Sequence, residues 1–129
     1  MGLIECQDIC KSFGEKVALD YVSVTMERGK IFGLLGPNGS GKTTLIRIIN
    51  RITIPNSGVI LFDGRPITQR DVEKIGYMPE ERGLYRKMKV GEQALFFARL
   101  KGMSYKDAET ELKKWFVRFG IESWWNKKV

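Results

Sequence analysis

One segment constrains the fold of this chain more than any other, the run Gly36-Pro37-Asn38-Gly39-Ser40-Gly41-Lys42-Thr43. The apolar run Ile31–Leu35 precedes it and reads as a strand buried on both faces, as in a parallel sheet. Apolar residues at helical spacing follow it, so a helix is predicted to begin near Lys42 and to end before Pro55. These residues are Leu45, Ile46, Ile48, Ile49 and Ile52.

The residues of this loop have the chemistry of a phosphate site. Its glycines allow backbone angles that turn several N–H groups inward, and the following helix N-terminus adds a partial positive charge. The Lys42 ammonium can reach the β and γ phosphates, and the Thr43 hydroxyl is an oxygen ligand suited to Mg²⁺. The loop therefore predicts binding of a nucleoside triphosphate. The alternative is a glycine-rich turn in which the lysine is accidental.

Charge and cysteine content add weaker constraints. The formal net charge is +7, which predicts either an anionic partner or simply solvated lysines spread along the chain. Cys6 and Cys10 are predicted to be free thiols. The chain has no His and no second cysteine pair to complete a metal site, and neighbouring side chains on one strand make poor disulfides. A denser basic cluster is formed by Arg82, Arg86, Lys87 and Lys89.

The remaining elements follow from periodicity. Strands are predicted at Leu3–Ile9, Val22–Met26, Val59–Phe62 and Ile75–Met78. The last third changes to helical spacing, with one helix over Gly91–Lys101. A second helix begins at a cap on Ser104 and ends at Gly120.

The segment from Gly36 to Leu45 resembles the Walker A segment of ABC-type ATPases, which drive membrane transporters. The resemblance covers nearly the whole chain and includes Val17–Asp20, Gly29–Gly36 and Ser57–Gly64. It implies an α/β fold: a P-loop NTPase core with an antiparallel β portion over residues 1–90, and the start of a helical subdomain over 91–129.

The resemblance also implies roles for individual residues. Phe13, in the A-loop-like stretch Lys11–Gly14, would stack on adenine; the alternative is a core aromatic between two strands. Glu80 stands where the family usually has the Q-loop Gln, and it would ligate Mg²⁺ together with Thr43; the alternative is an exposed loop carboxylate. The implied ATP contacts are Gly36, Pro37, Asn38, Gly39, Ser40, Gly41, Lys42, Thr43 and Thr44.

Partners are likewise implied by the resemblance. The stretch Pro79–Tyr85 looks like the variant found in ATPases of ABC-2-type exporters. A membrane permease would meet the region from Glu80 to Lys89, and a second ATP-binding subunit would complete the site across a dimer. The expected location is peripheral, at the cytoplasmic face of the membrane, with no transmembrane segment and no nucleic-acid partner.

Several family features are missing from the sequence. Val59–Asp63 mimics a Walker B strand, but Gly64 follows it, so Asp63-Gly64 is predicted to be a hairpin turn. No Leu-Ser-Gly-Gly-Gln-like signature, Walker B strand or switch His occurs. The expectation is a C-terminally truncated part of a longer ATPase, which binds Mg-ATP weakly and has negligible turnover alone.

Three other functions fit parts of the sequence. Another P-loop class, such as a GTPase, would normally carry an Asn-Lys-x-Asp guanine reader, and the nearest match, Asn126–Val129, lacks the Asp. A non-enzymatic interaction module would keep the fold with little nucleotide binding. Nucleic-acid binding is supported by charge alone.

Overall fold

The computed structural model describes residues 2–80 and 83–129, which form two compact units. The first unit extends to Tyr77 and the second runs from Met78 to Val129. Arg82 of the predicted basic cluster lies outside the described residues. Within those two ranges, no helix is both long enough and apolar enough to cross a membrane.

The first unit is built on an antiparallel sheet, as the sequence predicts for its β portion. The strands are β1 (Ile4–Phe13), β2 (Lys16–Met26), β3 (Ser57–Phe62) and β4 (Arg65–Pro66). Their spatial order is β2-β1-β3-β4, so β1 is paired on both edges. The strands predicted within β1, β2 and β3 are confirmed, although β1 and β2 are longer than expected.

An irregularity in β1 sets which side chains face the core. Cys6 and Ile9 are both buried although three positions separate them, which strict alternation would not allow. The register shifts between them, where Asp8 has a φ of 50°. Gly58 on the paired strand has a φ of 91°, and a Cβ there would lie 2.5 Å from the Asp8 carbonyl oxygen. Glycine is therefore required at position 58 for the two strands to approach.

Helix α1 (Lys42–Ile49) covers the inner face of this sheet. Leu45, Ile48 and Ile49 recur on one side of the helix and are buried. They form the core together with Cys6, Ile9, Leu19 and Ile60. The helix predicted after the glycine-rich loop is thus confirmed.

Two predicted strands are absent from the described residues. Residues 31–35 form no strand, and Ile31 and Leu35 are 104% and 93% exposed, so the prediction of a strand buried on both faces is wrong. Residues 75–78 also form no strand, although Ile75 packs against the core. A strand needs hydrogen-bonding neighbours, and in the described sheet the strand pairings involve β1 to β4 alone.

The predicted turn at Asp63-Gly64 is confirmed. It joins β3 to β4 as a two-residue hairpin, with Phe62 opposite Arg65. Both turn residues have positive φ, 49° and 79°, as a type I′ turn requires. Arg28 donates to both Asp63 carboxylate oxygens, at 2.7 and 2.9 Å, so this carboxylate is ion-paired.

A buried carboxylate lies near the end of the first unit. Asp71, in the short helix α2 (Gln69–Val72), is 1% exposed and accepts two hydrogen bonds from the Arg65 guanidinium, at 2.7 and 2.8 Å. It also accepts from the backbone and hydroxyl of Thr68. The hydrogen bonds from Arg65 and then those from Thr68 hold the pKa of Asp71 well below its usual range. The carboxylate is therefore a structural ion-pair partner.

Both cysteines are free thiols in the structure. Burial raises the pKa of the Cys6 thiol to about 11, so it stays protonated at neutral pH. The half-buried Cys10 sulfur accepts a hydrogen bond from the Tyr21 backbone N–H at 3.3 Å. Both are structural residues of β1.

The second unit contains two helices that pack on each other, α3 (Val90–Leu100) and α4 (Tyr105–Phe119). The predicted cap is confirmed, because the Ser104 hydroxyl accepts from the Asp107 N–H at 3.2 Å. Gly120 ends α4 with a φ of 68°, as expected for a left-handed C-cap.

The residues after α4 pair with the segment before α3. The backbone of Val90 donates to Lys127 at 2.8 Å, and that of Gly91 donates to Trp125 at 2.9 Å. The Trp125 ring packs edge-on against the buried Phe116, at 5.0 Å between centroids. These contacts join the two ends of the second unit. The start of a helical subdomain at residue 91 stays a prediction.

Candidate phosphate-binding site

The N-terminus of α1 supplies the first donors of the site. Gly41 is its N-cap, with a φ of 97°, and the first intrahelical bond runs from the Leu45 N–H to the Gly41 carbonyl at 3.0 Å. The backbone N–H groups of Lys42, Thr43 and Thr44 precede that bond, so they are donors that the helix does not use. The first turn carries no acidic residue. This helix end therefore suits an anion.

Gly41 holds the helix end against β2. A Cβ on Gly41 would lie 2.4 Å from the Ala18 carbonyl oxygen and 2.9 Å from Leu19 Cδ2. Glycine is needed here both for the positive φ and for the close approach. Sequence reasoning missed the role of Ala18, because this contact joins residues far apart in the chain.

The Lys42 side chain folds back over the loop. Its ammonium donates to the Gly36 carbonyl, to the Pro37 carbonyl at 2.8 Å and to the Ser40 hydroxyl at 3.3 Å. The Ser40 N–H donates to the Pro37 carbonyl at 3.2 Å, which closes the turn. A Cβ on Gly36 would lie 2.7 Å from Ser40 Oγ. The cation thus lies within reach of any group bound by the loop.

The other predicted loop residues differ in exposure. Residues 36–40, including Asn38 and Gly39, are exposed, as is Thr43 on the first turn of α1. Thr44 is half-buried. The exposed Thr43 hydroxyl is a hard oxygen donor beside the phosphate donors, which fits an Mg²⁺ ion that keeps waters and phosphate oxygens as its other ligands.

Phe13 lies at the end of β1 and is 53% exposed, so it is not a core aromatic. It pairs with Lys16 on β2, two residues before the Ala18 that contacts Gly41. At roughly 3.3 Å per residue, this is about 7 Å along the strand. The structure therefore brings the predicted base-stacking residue and the phosphate loop to the same part of the first unit.

Lys11 is a neighbour of Phe13 to which sequence reasoning gave no role. Its ammonium lies 5.2 Å from the centroid of the Phe13 ring. The signal in the sequence is the spacing of two residues on one strand, which places both side chains on one face.

Glu80, the predicted second Mg²⁺ ligand, is exposed and belongs to the second unit. This exposure is compatible with a ligand of Mg²⁺ and equally with a loop carboxylate that has no role in binding. Its role at the metal stays a prediction from the resemblance.

Comparisons with known proteins identify the family. Residues 19–129 match the family model described as ABC transporter. The uncharacterized ABC transporter ATP-binding protein YhaQ of Bacillus subtilis is 44% identical over 98% of this chain and 43% of its own length. A sulfate/thiosulfate import ATP-binding protein of Rhodopseudomonas palustris is 39% identical over 86% of this chain and 32% of its own length. The chain thus spans less than half of these curated relatives.

A solved structure shows the same fold. CbiO1 of Clostridium perfringens, part of the ABC transporter complex cbiONQ, superposes with a TM-score of 0.74 at 26% identity, over 98% of this chain and 54% of that one. The α/β interpretation from sequence is confirmed, whereas the exporter subtype stays a prediction. By its family match and its relatives, the chain belongs to the ABC transporter ATP-binding proteins.

Proposed function

We propose that this chain binds ATP together with Mg²⁺, as the nucleotide-binding part of a subunit that powers a membrane transporter. The observation that carries the proposal is the position of Gly41, which holds the N-terminus of α1 against Ala18, while the Lys42 ammonium folds back over the loop. The first backbone N–H groups of α1 and the Lys42 ammonium therefore both lie at the glycine-rich loop. The ATP-binding relatives support this proposal.

Each part of the site has a separate task. Lys42 neutralises phosphate charge as a mobile point charge, and the first N–H groups of α1 fix the phosphate oxygens. Phe13 offers an exposed ring on which the base stacks. Bound Mg²⁺, held by Thr43 and phosphate oxygens, would neutralise further charge on the triphosphate.

The base contact can be tested separately from the phosphate contact. We expect Phe13→Ala to weaken Mg-ATP binding by roughly 1–2 kcal/mol, the value of one stacking contact, and to leave the affinity for tripolyphosphate unchanged. Phe13→Trp should bind ATP at least as well as the parent chain. Isothermal titration with both ligands measures the difference.

Phe119→Ala is the matched control, because Phe119 is exposed to a similar extent but lies in the second unit. It should bind both ligands normally. Equal affinity of the parent chain for ATP and tripolyphosphate would contradict a base site.

The second unit carries a surface that suits a membrane partner. An apolar groove of about 580 Å³ runs along α3 to the start of α4, with Glu92 and Arg99 among its polar residues. Exposed apolar surface of this kind marks interaction sites. We propose that this groove, with the preceding Glu80–Lys89 region, receives a membrane permease subunit, which keeps the protein peripheral to the membrane. The apolar lining is Leu95, Phe96, Leu100, Met103 and Tyr105.

The basic residues of that region give a test by salt dependence. Arg86, Lys87 and Lys89 are exposed, and each contributes about 1 kcal/mol near an anionic leaflet. We expect their joint replacement by Gln to reduce binding to anionic lipid vesicles, most strongly at low salt, with ATP affinity unchanged. Vesicle co-sedimentation at two salt concentrations measures this.

A control variant replaces Lys106, Lys114 and Lys127 by Gln, which removes the same charge elsewhere in the second unit. Equal losses in both variants would show that net charge, and not this cluster, determines the association.

A further inference from the structure

The backbone between Lys11 and Phe13 is anchored from the neighbouring turn. The Ser12 N–H donates to the Asn56 side-chain oxygen at 2.7 Å, and the Asn56 N–H donates to the Cys10 carbonyl at 2.8 Å. These two hydrogen bonds tie the end of β1 to Asn56, the residue that precedes β3. The two side chains therefore project from a fixed stretch of backbone and not from a loose strand end.

Lys11 and Phe13 contact each other on this anchored strand. Lys11 is half-buried, and its ammonium lies 5.2 Å from the Phe13 centroid, within the roughly 6 Å range of a cation–π contact. An aromatic ring has two faces, and the ammonium covers one of them. Because Phe13 remains 53% exposed, its ring still has free surface for a second contact.

We propose that Lys11 is a positioning residue for the nucleotide base. Its ammonium fixes the Phe13 ring from one face, so that the base stacks on the other. The inference rests on the proposed function, because it assumes that Phe13 contacts a base.

The test compares two ligands on the parent chain and its variants. Lys11→Met keeps the aliphatic stem and removes the charge. We expect it to bind Mg-ATP roughly two- to fivefold more weakly, with unchanged affinity for tripolyphosphate. Lys11→Arg should restore ATP binding, since a guanidinium also makes cation–π contacts. Lys11→Gln is a second neutral variant, expected to behave as Lys11→Met.

Lys16→Met is the matched control, because Lys16 is an exposed lysine on the strand position paired with Phe13. It should not alter either affinity. Unchanged ATP binding in both neutral variants would overturn the proposal, as would an equal loss for ATP and tripolyphosphate, which would make Lys11 a phosphate contact. A parent chain that binds ATP no better than tripolyphosphate would refute the base site itself, and the role of Lys11 with it.

Discussion

Lys42→Ala is expected to lose nucleotide binding almost completely. The Lys42 ammonium lies against the backbone of the glycine-rich loop, within reach of a phosphate bound there, and hydrogen bonds to charged groups contribute roughly 1.5–3 kcal/mol each. The loss of one such contact lowers affinity about ten- to a hundredfold, and a triphosphate offers more than one. Titration with Mg-ATP measures the effect.

The fold should tolerate this change, because the ammonium contacts carbonyl oxygens of an exposed loop that water can also satisfy. Lys30→Ala, at an exposed lysine just before residues 31–35, should bind ATP as the parent chain does. If Lys42→Ala retained the parent affinity, the phosphate site would lie elsewhere.

Gly41→Ala is expected to have the largest effect on stability and to abolish binding as well. Two costs add at this position. A non-glycine residue in the left-handed region costs about 1–2 kcal/mol, and forcing atoms into a packed contact costs about 1–3 kcal/mol. The added Cβ would lie 2.4 Å from the Ala18 carbonyl oxygen, so α1 must move away from β2. Urea unfolding measures the first effect, and Mg-ATP titration measures the second.

Gly29→Ala separates these two costs. Gly29 also has a positive φ, 71°, but a Cβ there would meet no atom within 4 Å. The Gly29→Ala variant should therefore lose only the roughly 1–2 kcal/mol of unfolding free energy that a non-glycine residue at positive φ costs, and it should bind ATP normally. If the two variants were equally stable, the contact between Gly41 and Ala18 would not support the helix N-terminus.

Local features of the fold could be predicted from the sequence. The Ser104 cap, the Gly120 stop and the Asp63-Gly64 turn each depend on a few adjacent residues, and each is confirmed. Helix α1 was predictable for the same reason, because its apolar residues repeat at helical spacing.

Features that depend on distant residues were not predictable. Residues 31–35 have the composition of a buried strand, but strand formation is decided by pairing partners elsewhere in the chain. The shift in β1 at Asp8 and the contact between Gly41 and Ala18 likewise depend on which segments meet. In the candidate site, the loop could therefore be predicted from the sequence, whereas the contact of Gly41 with Ala18 could not.

The attachment of both ends of the site to β2 sets a fixed length. Phe13 pairs with Lys16, and Gly41 lies against Ala18, so the spacing between ring and helix end is determined by the strand and not by the ligand. On the proposed function, in which the Phe13 ring holds the base and the loop holds the phosphates, a ligand whose two groups match this spacing would make its second contact at high effective concentration. A shorter or longer ligand would make the two contacts singly, so the consequence of this spacing would be selection by ligand length.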